Sequence, residues 1–191
     1  MQVADTEIPE VKLITPSRFG DDRGWFSETW NAARMKAAGL DFDFVQDNHS
    51  LSRPVHTLRG LHYQAPPFAQ TKLVRAGRGR VLDVAVDVRP GSATYLKWVA
   101  AELTATGGEQ LLVPQGFLHG FLTLEPDTEV LYKVDAPYAR EADGAVRFDD
   151  PAIGIDWGVA AGDIVLSEKD AAAPLLADWK NPFGGPSGRM S

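Results

Sequence analysis

Two of the four histidines lie where a side chain could take part in acid–base chemistry inside a fold. His62 and His119 each lie in an apolar, strand-like run, whereas His49 and His56 lie in a polar, proline-containing segment typical of a loop. Because an imidazole changes its charge near neutral pH, a histidine in a pocket can accept a proton from a substrate. The same pattern is typical of core histidines that only hydrogen-bond to the backbone, and it leaves both roles open.

Strand alternation groups His62 with a cation and a phenol. If residues 58–64 and 128–134 are strands, His62 and Tyr132 lie on faces that a closed sheet can turn inward, and Lys72 opens another apolar run. These side chains supply a base, a positive charge and an acid. Abstraction of a proton beside a carbonyl needs this set, because the enolate that forms must be stabilised by charge or by hydrogen-bond donors.

The elements that must position these residues are mostly strands. Alternating or apolar runs are separated by glycine- and proline-containing turns, and this spacing predicts an all-β sandwich or barrel with a few short peripheral helices, a class that includes the cupin-type jelly roll. We predict strands at residues 58–64, 80–88, 95–103, 110–113, 117–124 and 128–134. A helix is predicted from Ser27 to Met35 or Ala38, with Ser27 or Thr29 as the N-cap and Gly39 as the stop, and a weaker one near residues 171–178.

Composition limits the class of protein. The 191 residues are 44% hydrophobic and 24% charged, which predicts one globular domain over residues 1–191, with a poorly ordered, glycine- and proline-rich tail at 181–191. The absence of cysteine excludes disulfides and thiolate metal sites. A net charge of −7 argues against a nucleic-acid partner. No apolar run is long enough for a membrane span and the N-terminus lacks a signal-peptide pattern, so we expect a cytoplasmic protein without a membrane partner.

A metal-dependent cupin is the first alternative. Pro114, Gly116 and His119 have the spacing of the second cupin motif, but the first motif requires a His-x-His pair. Here His62 is followed by Tyr63 and Gln64, so the pair is broken. Since His119 alone cannot hold an ion that needs three or four protein ligands, we predict no metal.

The sequence resembles the dTDP-4-dehydrorhamnose 3,5-epimerase family over roughly residues 10–180. The matching segments, in order, are FGDDRGWFSE (19–28), QDNHS (46–50), LRGLHYQ (58–64), KLV (72–74), DVAVD (83–87), PQGFLHGF (114–121), EVLYK (129–133), DDP (149–151), IDW (155–157) and LSEKD (166–170). The resemblance implies a jelly roll, a homodimer that exchanges strands and no cofactor. It also implies inversion of C3 and C5 of a dTDP-linked 4-keto-6-deoxy sugar.

The resemblance also assigns catalytic roles. His62 matches the general base, Asp170 the carboxylate that orients it, Lys72 the enolate stabiliser and Tyr132 the acid that returns a proton to the opposite face. By composition alone, Asp170 lies in what would be a surface turn or helix cap.

Further matched positions imply a site for the nucleotide and the sugar. The expected substrate-binding residues are Phe19, Arg23, Phe26, Glu28, Gln46, Asn48, Arg59, His119 and Tyr138, with His119 as a phosphate or sugar contact. In a regular strand Arg59 points away from His62, so either a bulge or the partner subunit must bring it to the site. A mono-epimerase acting at C3 or C5 alone and a non-catalytic sugar-binding jelly roll are the remaining alternatives.

Overall fold

The computed structural model describes residues 1–184, which form two facing antiparallel sheets and a separate hairpin. The strands are β1 (Gln2–Asp5), β2 (Lys12–Thr15), β3 (Arg18–Asp21), β4 (Gly24–Ser27), β5 (Gln46–Ser52), β6 (Leu58–Gln64), β7 (Lys72–Arg78), β8 (Arg80–Asp87), β9 (Trp98–Thr104), β10 (Gln110–Val113), β11 (Phe117–Thr123), β12 (Thr128–Val134) and β13 (Asp143–Ala145). The α-helices are α1 (Ala32–Ala37) and α2 (Glu168–Ala171), and 3₁₀ turns lie at Arg140–Ala142, Ala161–Asp163 and Pro182–Gly184.

The strand order is that of a sandwich. One sheet has six strands in the order β1-β2-β10-β7-β12-β5, and the other has five in the order β13-β6-β11-β8-β9. Strands β3 and β4 pair only with each other. The predicted all-β jelly-roll class is therefore confirmed.

The central strands β8 and β11 of the five-stranded sheet are buried on both faces. On β8, Val81 and Ala85 pack against the six-stranded sheet, while Val84 and Val86 on the outer face pack under the C-terminal segment. This double cover explains why apolar residues occupy most positions of these two strands.

Both helix predictions need correction. Helix α1 begins after Asn31, whose side chain accepts a hydrogen bond from the Arg34 N–H, and not near Ser27, because Ser27 ends β4 opposite Arg18. Between residues 171 and 178 the chain is largely non-helical, since Pro174 stops the single turn of α2.

The predicted disordered tail is wrong for residues 181–184. The side chain of Asn181 donates a hydrogen bond to the Val88 carbonyl at 2.7 Å, and Phe183 packs edge-on against Tyr63. The rest of that prediction, residues 185–191, lies outside the described residues. Within residues 1–184, no helix has the length and apolar character needed to cross a membrane.

Candidate active site

Residues from both sheets line two adjoining cavities of about 250 and 220 Å³. The residues common to both cavities are His62, Lys72, Tyr132 and Lys169. The larger cavity is also lined by Gln46, Asn48, Tyr63, Gln64, Gln70, Tyr138 and Asp143. The smaller is also lined by Ser50, Arg59, His119, Phe121, Ser167 and Asp170.

The register of β5, β7 and β12 in the six-stranded sheet determines which of their side chains line the site. Tyr132 on β12 lies opposite Asn48 on β5, and residues directly opposite in a sheet project to the same face. Two pairs further along, and so on the same face, Val134 lies opposite both Gln46 and Lys72. The tyrosine, the lysine and the two amides therefore line one wall.

His62 and Asp170 form a dyad on the opposite side. The Nε2 of His62 lies 2.5 Å from Oδ1 of Asp170, whose side chain is only 5% exposed. Burial raises the pKa of Asp170, but the hydrogen bond from His62, supported by Ser167 and Lys169, outweighs it and the net shift is downward. A carboxylate oxygen can only accept, so the His62 proton lies on Nε2 and Nδ1 has a free lone pair.

The short helix α2 fixes the position of this carboxylate. Its N-cap residue Ser167 accepts a hydrogen bond from the Asp170 N–H at 3.1 Å. The apparent surface turn of the sequence is thus folded against β6, where Asp170 meets His62.

A bulge in β6 brings Arg59 to the same side as His62. His119 pairs with His62 and Phe121 pairs with Arg59, so three steps along β6 match two along β11. Gly60 permits this, because its φ is +148° and a Cβ there would lie 2.6 Å from the Gly120 Cα. Of the two explanations that strand parity allowed, the structure contains the bulge.

Burial tunes the two other reactive groups. It lowers the pKa of Lys72 to about 8, against the opposing attraction of Asp83 and Asp143. It raises the pKa of Tyr132, with the charge of Arg59 as the main opposing effect. At neutral pH the phenol is protonated and the lysine is mostly an ammonium ion.

The buried position of His119 beside a carboxylate does not favour binding to a phosphate group. It is buried, and its Nε2 lies 2.9 Å from Oδ1 of the fully buried Asp83. Burial lowers the pKa of His119, although Asp83 opposes the shift. A neutral ring suits a sugar contact better than an anion contact.

Sequence reasoning missed two charged residues of the cavities. Asp143 accepts a hydrogen bond from the Tyr138 hydroxyl at 3.2 Å and forms an ion pair with Lys169. Lys169 adjoins Asp170 within the matched segment 166–170, and that adjacency was the available signal. Asp143 lies in a stretch without any such signal.

Four of the predicted substrate-binding residues lie outside both cavities. Phe19 and Phe26 are 64% and 68% exposed on the β3–β4 hairpin, and Arg23 pairs with Asp21. Glu28, just beyond the hairpin, forms an ion pair with Arg34 at 3.2 Å. The other predicted substrate-binding residues line the two cavities: Gln46, Asn48, Arg59, His119 and Tyr138.

The described residues do not form a cluster of side chains suited to binding a metal ion. Among residues 1–184, no group of three or more histidine, aspartate or glutamate side chains is arranged to hold a metal ion. The arrangement is that of an acid–base site: an oriented imidazole, an ammonium ion and a phenol around one cavity.

Comparison with known proteins identifies a family of sugar-nucleotide epimerases. The family model described as dTDP-4-dehydrorhamnose 3,5-epimerase matches residues 5–178. A protein of that name from Sinorhizobium fredii is 53% identical over 183 residues, covering 96% of this chain and 93% of the relative.

Two solved structures have closely similar folds. The Bacillus anthracis dTDP-4-dehydrorhamnose 3,5-epimerase with TDP and PPi bound has a TM-score of 0.88 and 44% identity, covering 92% of this chain and 99% of that one. A dTDP-6-deoxy-D-glucose-3,5-epimerase from Legionella pneumophila in complex with dTDP-4-keto-L-rhamnose has a TM-score of 0.89 and 40% identity, covering 94% of each chain.

Proposed function

The chain belongs to the dTDP-4-dehydrorhamnose 3,5-epimerase family, and we propose that the His62 cavity inverts C3 and C5 of dTDP-4-keto-6-deoxy-D-glucose to give dTDP-4-keto-L-rhamnose. The observation that carries this proposal is the His62–Asp170 dyad across a cavity from Tyr132 and beside Lys72. Both carbons adjoin the same ketone, so one base in one cavity can serve both.

His62 starts each inversion. Its Nδ1 takes the proton from the carbon beside the ketone, and Asp170 stabilises the imidazolium that forms, as a buried aspartate does beside a catalytic histidine. The electron pair moves onto the ketone oxygen, and the Lys72 ammonium stabilises this enolate. The ammonium is effective there because burial removes competing water.

Tyr132 completes each inversion. A single base that returned its own proton would restore the starting configuration, so the second proton must reach the other face of the carbon. The raised pKa of Tyr132 keeps its hydroxyl protonated for this step. Before the next inversion, the His62 imidazolium releases its proton to solvent and the tyrosinate takes up a proton from solvent.

We also propose that two chains build each nucleotide site. Arg59 supplies a cation for the diphosphate, and Gln46, Asn48 and Tyr138 line the adjoining cavity. The exposed hairpin carries aromatic residues and Arg23, yet it lies away from its own chain's cavities. In a homodimer, the hairpin of each subunit covers the site of its partner.

Proton NMR in deuterated water tests the proposed reaction. With dTDP-4-keto-6-deoxyglucose, the enzyme should introduce deuterium at C3 and C5 and invert both centres. Exchange and inversion at only one carbon would identify a mono-epimerase. Binding without any exchange would identify a non-catalytic sugar-binding protein, and both outcomes would contradict the proposal.

A further inference from the structure

Asp83 is a buried carboxylate, and only one of its two oxygens has a hydrogen-bond partner. It is fully buried on β8, and its Oδ1 accepts the hydrogen bond from His119. Its Oδ2 is the only buried side-chain nitrogen or oxygen within residues 1–184 that has no hydrogen-bond partner. A buried oxygen left unpaired costs about 1–3 kcal/mol, and more when it is charged, so a compensating charge is expected nearby.

That charge is on Lys72. Lys72 enters the same interior from β7, and of the two carboxylates that attract it, Asp83 has the larger effect and Asp143 the smaller. The ammonium makes no direct ion pair among residues 1–184, so it is not tied down by either carboxylate. Asp83 therefore acts on it through space and leaves it free to meet a substrate oxygen.

We propose that Asp83 is a positioning residue for the epimerase reaction, acting as the buried counter-ion of Lys72 and the orienting acceptor of His119. This inference rests on the proposed function of the cavity. Asp83 lines neither cavity, so it acts on the substrate only through these two side chains.

The hydrogen bond fixes what His119 can recognise. The Asp83 oxygen accepts, so the proton of the neutral ring lies on Nε2 and Nδ1 is left as an acceptor. An acceptor nitrogen pairs with a hydroxyl group and repels a phosphate oxygen. His119 is therefore assigned to a hydroxyl of the sugar and not to the diphosphate.

The charge of Asp83 keeps Lys72 protonated. The titratable and charged groups around Lys72 on the packed elements are Asp83, Asp143, Asp170, His62, His119, Tyr63, Tyr132, Tyr138, Arg59 and Lys169. Burial already lowers the pKa of Lys72 to about 8. Without Asp83, only Asp143 opposes the burial, so Lys72 loses its proton at lower pH.

The first test is the pH profile of Asp83→Asn, which removes the charge and keeps the shape. We expect kcat at pH 8 to fall about fivefold while KM changes less, and the alkaline limb of kcat to move down by roughly one pH unit. Activity should recover as the pH is lowered. Asp87→Asn is the matched control, because Asp87 is a buried aspartate of the same strand face that holds Arg89 instead. It should lower stability without moving the limb.

The second test needs no activity and so is independent of the proposed function. Lys72→Met should lower the melting temperature, because it leaves the Asp83 charge buried alone, and adding Asp83→Asn should restore part of the loss. An alkaline limb that stays in place, or melting shifts that simply add, would each overturn the proposal.

Discussion

At the scale of residues, the site depends on the protonation states of His62, Lys72 and Tyr132, which neighbouring groups and burial determine. Asp170 directs the His62 proton to Nε2, which leaves Nδ1 as the base, while Lys72 and Tyr132 stay protonated. The residue types suggested this set from alternation alone. The role of Asp170 came only from the family resemblance, because no rule of composition places an aspartate of the charged turn Ser167-Glu168-Lys169-Asp170 against a strand 108 positions earlier.

Replacing His62 by alanine should stop exchange at C3 and C5 together, because one base serves both carbons. A positioned base typically contributes about 10²–10⁴-fold, so both rates should fall by at least that factor in proton NMR in deuterated water. His49→Ala is the matched control, since His49 pairs with Glu129 on an exposed face. Exchange persisting at either carbon at the wild-type rate in His62→Ala would contradict the assignment.

At the scale of elements, strand-like runs between turn residues were enough to predict the strands Leu58–Gln64, Gln110–Val113 and Thr128–Val134 with their observed bounds. Strand β5 was not predicted, because its sequence QDNHSLS is polar. It forms a strand because all seven residues pair with β12. In a regular strand Arg59 would point away from His62, so the sequence called for either a bulge in β6 or a contribution from the partner subunit. Only the register between β6 and β11 shows that the bulge is present. Pairing between distant strands is a property of the fold and not of the local sequence.

Replacing Gly60 by alanine should disrupt this bulge. The new Cβ meets Gly120 backbone at 2.6 Å in a φ region that glycine favours, so we expect a loss of about 1–3 kcal/mol in the free energy of unfolding and a raised KM as Arg59 shifts. Urea denaturation measures the first effect and steady-state kinetics the second. Gly91→Ala, also at positive φ but with nothing within 4 Å, isolates the backbone strain. Equal losses for the two variants would show that the close approach to Gly120 is unimportant.

At the scale of the whole molecule, we propose that one chain leaves its own site incomplete. The residues that the family resemblance assigns to the nucleotide divide between the cavity and the exposed hairpin. Contacts between chains cannot be read from the alternation of one chain, so the sequence alone does not separate the two groups. A shared site accounts for the division.

Heterodimers of two inactive chains test this sharing. A His62→Ala chain and an Arg23→Ala chain, co-expressed with different tags and purified through both, should form dimers with one intact site and about half the wild-type activity per dimer. The intact site combines the cavity of one chain with the hairpin of the other. Inactive heterodimers would place Arg23 and His62 in the same chain's site.

The most direct test of the two-faced mechanism is proton NMR of Tyr132→Phe with dTDP-4-keto-6-deoxyglucose in deuterated water. Loss of the hydroxyl alone keeps the packing of the ring, so the fold should be preserved. His62 should still remove the proton and return a deuteron to the same face. We therefore predict deuterium at the exchanging carbons with their configuration largely retained. Inversion of both centres at the wild-type rate would contradict the account, because the second proton would then come from another acid.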